Sequence, residues 1–130
     1  MTAEKVDTAL ACLIAIGRIH RIIFEPEALR RNYSMDGQPM DRLKFIRAAR
    51  DIGIKAKWFT MTADRLGSIP LPAVAVLSGG IFVTLLNHDG KNLVIYDPHQ
   101  ERPLSLSVEK FSEAWSGEIA LTSKALNWKN

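Results

Sequence analysis

The stretch Asp7-Thr-Ala-Leu-Ala-Cys-Leu-Ile-Ala-Ile16 gives the strongest fold signal in the chain. Its apolar side chains continue at helical spacing and predict a mostly buried helix over residues 8–23. The positions expected to face inward are Leu10, Leu13, Ile14, Ile16, Ile19, Ile22 and Ile23. Either Asp7 or Thr8 can cap this helix, because each side chain can accept a hydrogen bond from the free amides of the first turn. Gly17 ends the apolar run well short of the roughly 20 residues that a membrane-spanning helix needs.

Two further helices are predicted before the pattern changes. Pro26 suits the first turn of a short helix over residues 25–32. A third helix is expected over residues 38–53, after a loop at Asp36-Gly37, and Gly53 suits its end. Its inward positions are expected to be Leu43, Ile46, Ala49 and Ile52.

After Gly53 the sequence becomes strand-like. Short apolar or alternating runs predict strands over 54–59, 73–77, 81–86, 91–96 and 119–122. Turn sequences at residues 78–80 and 87–90 favour antiparallel hairpins. A short helix over 108–114, opened by Ser107, interrupts the strands. Helices followed by antiparallel strands predict an α+β fold.

Length and composition indicate one ordinary globular domain. The chain has 130 residues, of which 47% are apolar and 24% charged, and its net charge is +3. The first 65 residues hold 12 basic and 8 acidic side chains. The densest cations lie around the third helix: Arg42, Lys44, Arg47, Arg50, Lys55 and Lys57. Asp41 and Asp51 interrupt them and no aromatic ladder accompanies them, so the pattern favours a solvated face and no nucleic-acid partner. A patch for an acidic partner is the alternative.

Cys12 is the only cysteine, which excludes an internal disulfide and a cysteine-based zinc cage and suits a reducing compartment. It lies inside the most apolar helix and is expected to pack in the core. His88 and His99 fall in turns, and His20 has no partner at the spacing of a helical metal site. We therefore expect no metal.

Several short motifs, taken together, resemble one known family, the papain-like peptidase domain at the N-terminus of bacteriocin-exporting ABC transporters. Singly these motifs are weak, but their order and spacing are fairly specific and extend over residues 7–122. The resemblance implies a papain-like fold. The matching motifs are Asp7 to Leu13, Ala48 to Gly53, Leu71-Pro72-Ala73-Val74, Gly80-Ile81-Phe82-Val83, Ile95-Tyr96-Asp97-Pro98, and Phe111, Trp115 and Gly117.

The chain departs from this family at the positions that carry the chemistry. The family's nucleophilic cysteine corresponds to Thr8, its histidine base to Ile81 and its oxyanion-stabilising glutamine to Thr2. Only Asp97, the family's histidine-orienting residue, is kept, and Asp-Pro commonly ends a strand in a turn without any catalytic role. A threonine without a base is not activated as a nucleophile, so the resemblance implies an inactive peptidase. Cys12, about 6 Å further along the helix, is misplaced as a substitute.

A peptidase-like domain without its chemistry resembles the one in exporters of RTX toxins and adhesins, of the haemolysin type. The resemblance implies a cytosolic domain at the inner membrane of a bacterium that binds the unfolded RTX-type substrate for secretion. The partners implied are this substrate, the rest of the ABC transporter and its membrane-fusion protein. No cofactor is implied in this domain, whereas ATP and magnesium belong to the rest of the transporter.

If the former substrate groove persists, Thr8, Ile81 and Phe82 give it an apolar floor. We expect Trp58 to contribute to binding, with Arg42, Arg47 and Arg50 as a basic rim. An apolar groove with a basic rim suits an extended, acidic chain, and RTX repeats are rich in aspartate.

The domain is expected to fill residues 1–130, with 123–130 beginning a linker toward a transmembrane domain outside this chain. Two alternatives stay open. One is a stand-alone cytosolic binding or regulatory domain for an acidic partner. The other is an active cysteine peptidase that uses Cys12 with His88 or His99.

Overall fold

A computed structural model describes residues 7–33, 40–100 and 102–125. Within these ranges the helices come first and the strands follow, with one short helix between the last two strands. The helices are α1 (Thr8–Ile19), α2 (Pro26–Tyr33), α3 (Arg42–Asp51), a 3-10 helix (Ala63–Ser68) and α4 (Val108–Ala114). The strands are β1 (Ile54–Thr60), β2 (Ala73–Leu77), β3 (Phe82–His88), β4 (Asn92–Asp97), β5 (Arg102–Ser107) and β6 (Trp115–Lys124).

The six strands form one antiparallel sheet in the order β1-β6-β2-β3-β4-β5. Because side chains alternate along a strand, β2, β3 and β6 each contribute to two separate core clusters, one on either face of the sheet. Val74 and Phe82 pack with α1, α2 and α3 on one face, which we call the helical face. Ala75 and Val83 pack with α4 and the 3-10 helix on the other, which we call the α4 face. The expected α+β architecture, with helices packed on an antiparallel sheet, is confirmed.

Helix α1 begins where the sequence predicted but ends earlier. Asp7 is its N-cap, and its carboxylate accepts a hydrogen bond from the Leu10 amide. The helix stops at Ile19, and Arg21 then adopts the left-handed conformation, with φ of 59°, which a right-handed helix cannot continue through. The predicted burial of Ile19 and Ile23 is therefore wrong: Ile19 is 44% exposed and Ile23 is fully exposed.

Helix α3 is shorter than the predicted helix over 38–53, because it begins only at Arg42, and it buries a different face. It begins after its N-cap Asp41, and it ends before Gly53, whose φ of 90° fits the expected stop. Its buried residues are Phe45, Ala48 and Ala49. The expectation that Leu43 faces inward is wrong, since Leu43 is 56% exposed. Ile46 and Ile52 are only half-buried.

The strands were predicted nearly in place, with two differences. Strand β5 was missed, because Pro103 disfavours a strand by sequence, yet an edge strand tolerates proline. Strand β6 begins at Trp115, four residues earlier than expected, and includes Gly117 with φ of 94°. Helix α2 is confirmed, and so is α4 with Ser107 as its N-cap.

The loop expected at Asp36-Gly37, the position of Thr2 and most of the expected linker lie outside the described residues. Among the residues that are described, none belongs to a helix with the length and apolar character needed to cross a membrane.

The buried face of α3 can be tested with two truncations. We expect Phe45→Ala to lower the free energy of unfolding by about 3–5 kcal/mol, because it removes a fully buried ring from the core. Leu43→Ala, the matched control, should cost less than about 0.5 kcal/mol because this side chain is largely in solvent. Urea denaturation of both variants measures the difference. Similar losses for the two variants would contradict this packing of α3.

Candidate functional site

The start of α1 is fixed by the two carboxylate oxygens of Asp7. One accepts a hydrogen bond from the Leu10 amide at 3.1 Å, which caps the helix. The other accepts one from the Met40 amide at 3.2 Å, just before α3. One side chain therefore holds the N-terminus of α1 against the segment that leads into α3.

Thr8, the first residue of α1, is joined directly to the sheet. Its hydroxyl oxygen accepts a hydrogen bond from the Phe82 amide at 2.9 Å. Thr8 is 8% exposed and Phe82 is 6% exposed, so this bond is shielded from water. These two residues, which the sequence predicts at the floor of a groove, lie almost entirely below the surface.

Ile81 lies beside this bond in sequence but packs elsewhere. It ends the hairpin that joins β2 to β3, where its carbonyl accepts a hydrogen bond from the Leu77 amide at 2.8 Å. Gly80, with φ of 85°, makes this tight turn possible. The Ile81 side chain is half-buried and packs on the α4 face, opposite to α1. The structure therefore does not bring its side chain onto the helical face with Phe82.

Asp97, at the end of β4, is engaged in its own turn. Its carboxylate accepts a hydrogen bond from the His99 amide at 2.9 Å, and its carbonyl accepts one from the Gln100 amide at 2.9 Å. The His99 ring nitrogen Nδ1 lies 3.9 Å from the same carboxylate oxygen. The expected strand-ending turn at Asp97-Pro98 is confirmed.

Cys12 is fully buried in α1, as expected for a core residue. Burial raises the pKa of its thiol to about 12; the neighbouring Thr84 hydroxyl offsets part of this rise, and the charges of Asp97 and Asp7 add to it. None of the three histidines of the chain forms a hydrogen bond with this thiol. His20 is instead 3.2 Å from the Thr122 hydroxyl, and its pKa is lowered by burial and then by Lys124.

Three aromatic rings meet on the helical face beside Thr8. Trp58 lies edge-on to Phe45 and to Phe82, at 5.7 Å between ring centroids in both pairs, and Phe45 and Phe82 are 6.0 Å apart. The Trp58 indole nitrogen Nε1 donates to the Arg42 carbonyl at 3.2 Å, and the Arg42 side chain forms an ion pair with Glu118. Thr8, Phe82, Trp58 and Arg42 are therefore neighbours, and we call Phe45, Trp58 and Phe82 the aromatic cluster.

The other candidate residues lie away from the aromatic cluster. Arg47 and Arg50 occupy exposed positions further along α3, where their charges act on Tyr33. The pKa of Tyr33 is nevertheless raised to about 12, by burial and then by its hydrogen bond to Asp51. Sequence reasoning missed Phe45, although its spacing to Ala48 and Ala49 is that of a buried helical face.

A shallow cleft of about 500 Å³ lies along α1, between this helix and the residues Leu86 and Tyr96. Ile14, Leu86 and Tyr96 give it apolar walls, and Arg18 and Arg30 provide positive charge. No group of three or more His, Cys, Asp and Glu side chains within residues 7–33, 40–100 and 102–125 could hold a metal ion.

The helix α1, joined at its N-terminus to an antiparallel sheet, has the arrangement expected of a papain-like peptidase domain, and the expected papain-like fold is confirmed by the comparisons with known proteins. Residues 1–127 match the model of the Peptidase C39 family, and the chain belongs to this family. The resemblance to the peptidase-like domains of ABC exporters is thereby confirmed.

The relatives and the solved structures agree with this assignment. The chain is 30% identical over 128 residues, or 96% of its length, to the alpha-hemolysin translocation ATP-binding protein HlyB of Escherichia coli O157:H7. It is 26% identical, with a TM-score of 0.77, to the N-terminal peptidase C39 like domain of the toxin secretion ATP-binding protein from Vibrio parahaemolyticus. This match covers 92% of the chain and 98% of that domain.

A third comparison concerns the fold alone. A double glycine motif protease from an AMS/PCAT transporter, solved with its leader peptide, has a TM-score of 0.84 at 19% identity. The match covers 96% of this chain and 90% of that one. In contrast, the chain spans only 18% of the length of the curated HlyB relative.

The burial of Cys12 predicts an unreactive thiol. With a pKa of about 12, only about one thiol in ten thousand is ionised at pH 8, and iodoacetamide cannot reach it in the folded chain. We expect mass spectrometry to show alkylation of Cys12 only after unfolding in guanidinium chloride. A Ser105→Cys variant, with a second thiol at an exposed position, provides the control and should be modified once within minutes. Rapid alkylation of Cys12 in the folded chain would contradict this environment.

Proposed function

We propose that this chain is a catalytically inactive member of the Peptidase C39 family that belongs to a type I secretion ABC exporter. In this role it binds the unfolded RTX-type substrate before export. Its similarity to a translocation ATP-binding protein and to the domain of a toxin secretion protein supports the exporter assignment. The environment of Thr8 is the observation that carries the inactive assignment.

Cysteine peptidases need a thiolate, an imidazole that takes its proton and a group that orients the imidazole. At the matching positions this chain has the hydroxyl of Thr8 and the hydrocarbon of Ile81. The Thr8 oxygen is buried against the Phe82 amide, and the Asp97 carboxylate is bonded within its own turn. An alcohol without a base is not ionised at neutral pH, so this arrangement supports binding without cleavage.

The alternative of an active peptidase based on Cys12 has little support. Its thiol is buried, its pKa is raised, and none of the three histidines bonds to it. A catalytic thiolate requires the opposite environment: partial exposure and a lowered pKa.

The surface around Trp58 suits a flexible polypeptide. Trp58 is half-buried, so part of its ring is available above the aromatic cluster, and Arg42 at the exposed start of α3 lies beside it. An aromatic anchor can bind an apolar residue of the ligand, and Arg42 adds positive charge beside it, although its guanidinium is already paired with Glu118. Affinity is expected to be modest, because an unfolded ligand loses conformational entropy when it binds.

The remainder of the proposal concerns the complete protein. Its ATP and magnesium sites, its membrane-spanning part and its contact with a membrane-fusion protein would lie outside residues 1–130. This domain would work at the cytosolic face of the inner membrane of a bacterium, without a nucleic-acid partner. The gene sequence beyond Asn130 separates this proposal from a stand-alone domain: the exporter requires transmembrane helices and a Walker A motif, and an early stop codon would contradict it.

Binding can be measured with the 130-residue chain and purified RTX repeats. We expect the repeats to be captured when they are unfolded without calcium and not when calcium has folded them. Trp58→Ala should weaken capture by about 5- to 10-fold, as loss of an interface anchor does. Ile23→Ala, at a fully exposed apolar position, is the matched control and should leave affinity unchanged.

Two checks make this experiment decisive. Trp58→Phe keeps an aromatic ring in the cluster and should retain most of the affinity, and a thermal melt of each variant excludes unfolding as the cause. Equal capture of folded and unfolded repeats, or capture of neither, would overturn the binding role.

A further inference from the structure

Strand β1 lies at one edge of the sheet and pairs with β6 alone. It is seven residues long and continuously paired from Ile54 to Thr60. An edge of this length presents a row of backbone groups to which another extended chain can add.

The register shows which backbone groups point outward. The Ala125 amide donates to the Gly53 carbonyl at 2.8 Å, and the Met61 amide donates to the Gly117 carbonyl at 3.0 Å. Gly53 and Met61 flank β1, and both are bonded to the β6 side. In an antiparallel pair every second residue is bonded to the partner strand, so the odd-numbered residues of β1 bond to β6. The amides and carbonyls that point outward therefore belong to the even-numbered residues: Ile54, Ala56, Trp58 and Thr60.

These outward groups have no hydrogen-bond partner within the part of the chain that the structure describes. Trp58 bonds to the Arg42 carbonyl only through its side chain. The backbone N–H groups of Ala56 and Trp58 are two outward donors, and their carbonyls are two outward acceptors. An added antiparallel strand would form hydrogen bonds with all four.

Positive charge borders this edge on both faces of the sheet. On the α4 face, Lys55 and Lys57 are exposed, and the Lys57 ammonium lies 5.5 Å from the centre of the Phe59 ring. A cleft of about 260 Å³ adjoins these side chains. On the helical face, α3 packs on β1 and presents Arg47 and Arg50 at exposed positions.

The opposite edge of the sheet lacks these features. Strand β5 contains Pro103, which has no amide to donate, at one of its outward positions. Its exposed residues are Arg102, Pro103 and Ser105, so it carries one cation where β1 carries two lysines. The two edges therefore differ mainly in hydrogen-bonding capacity.

We propose that β1 is a strand-addition site for an extended, acidic segment of polypeptide. The inference rests on the proposed function in taking the ligand to be an unfolded chain, and it places that segment along β1. Backbone hydrogen bonds to Ala56 and Trp58 hold the added strand, and Lys55 and Lys57 select acidic side chains. A second copy of this chain is a poor occupant, because its own β1 would bring lysines against lysines.

Amide hydrogen exchange tests this pairing residue by residue. The probe is a ten-residue peptide of alternating aspartate and valine, and its control has asparagine in place of every aspartate. At a saturating concentration of the acidic peptide, the Ala56 and Trp58 amides should exchange at least 10-fold more slowly. The Lys55, Lys57 and Phe59 amides, already bonded to β6, should change little.

Matched variants separate pairing from general charge attraction. Ala56→Pro removes an outward amide and should weaken binding of the acidic peptide at least 10-fold. Ser105→Pro removes an outward amide from the other edge and should have no effect. Lys55→Glu with Lys57→Glu should abolish binding, whereas Lys91→Glu with Lys110→Glu, at exposed sites elsewhere, should preserve it. The amide spectrum of each variant confirms that it is folded.

Other results would overturn strand addition or the proposed function. Equal binding of the aspartate and asparagine peptides, or protection confined to residues outside β1, would overturn strand addition. Concentration-dependent protection of β1 without peptide would identify a second copy as the occupant and also overturn it. If unfolded RTX repeats bind equally well to Ala56→Pro and to the parent chain, this inference fails while the proposed function stands. If the repeats do not bind to the parent chain, the proposed function fails.

Discussion

The hydrogen bond from the Phe82 amide to the Thr8 hydroxyl joins the helices of the domain to its sheet, and the rest of the structure is arranged around this junction. It links the first residue of the central helix to the first residue of a central strand. Asp7 strengthens the same junction by bonding both to the helix and to the Met40 amide. The Thr8 side chain therefore serves as a buried hydrogen-bond acceptor at this junction.

The residues around this junction have other roles in the fold. Ile81 packs on the α4 face, opposite to α1. Asp97 stabilises the turn after β4. The aromatic cluster fills the helical face beside the closed junction, and only Trp58 and the start of α3 bring it to the surface.

Local signals in the sequence predicted local structure well. The Asp7 cap, the Ser107 cap and the turn at Asp97 depend on side chains that bond within three residues, so their types and positions suffice. The face of α3 was mispredicted because it depends on Trp58 and Phe82, which reach Phe45 only in the folded chain. Likewise, β5 is held by pairing with β4, and its own residues carry a proline that argues against a strand.

For the candidate site, too, the sequence predicted local features but not the contacts between elements that are distant in sequence. Family motifs in the sequence grouped Thr8, Ile81 and Phe82 at one groove. The folded chain places Thr8 and Phe82 in contact, whereas the Ile81 side chain packs on the α4 face. The motifs could not show that Thr8 and Phe82 are both buried. Nor could they show that Arg42 and Trp58 adjoin these residues, whereas Arg47 and Arg50 lie further along α3. Those relations arise from packing between elements distant in sequence.

The central claim is that this domain holds a polypeptide without cutting it. Its most direct test incubates the chain for a day with unfolded RTX repeats and with a double-glycine leader peptide, alongside an active member of the family as a positive control. Mass spectrometry then measures the mass of every polypeptide recovered. The account predicts that repeats and leader stay intact and that the chain carries no adduct. A cleaved leader peptide, or an acyl group on Thr8 or Cys12, would contradict it.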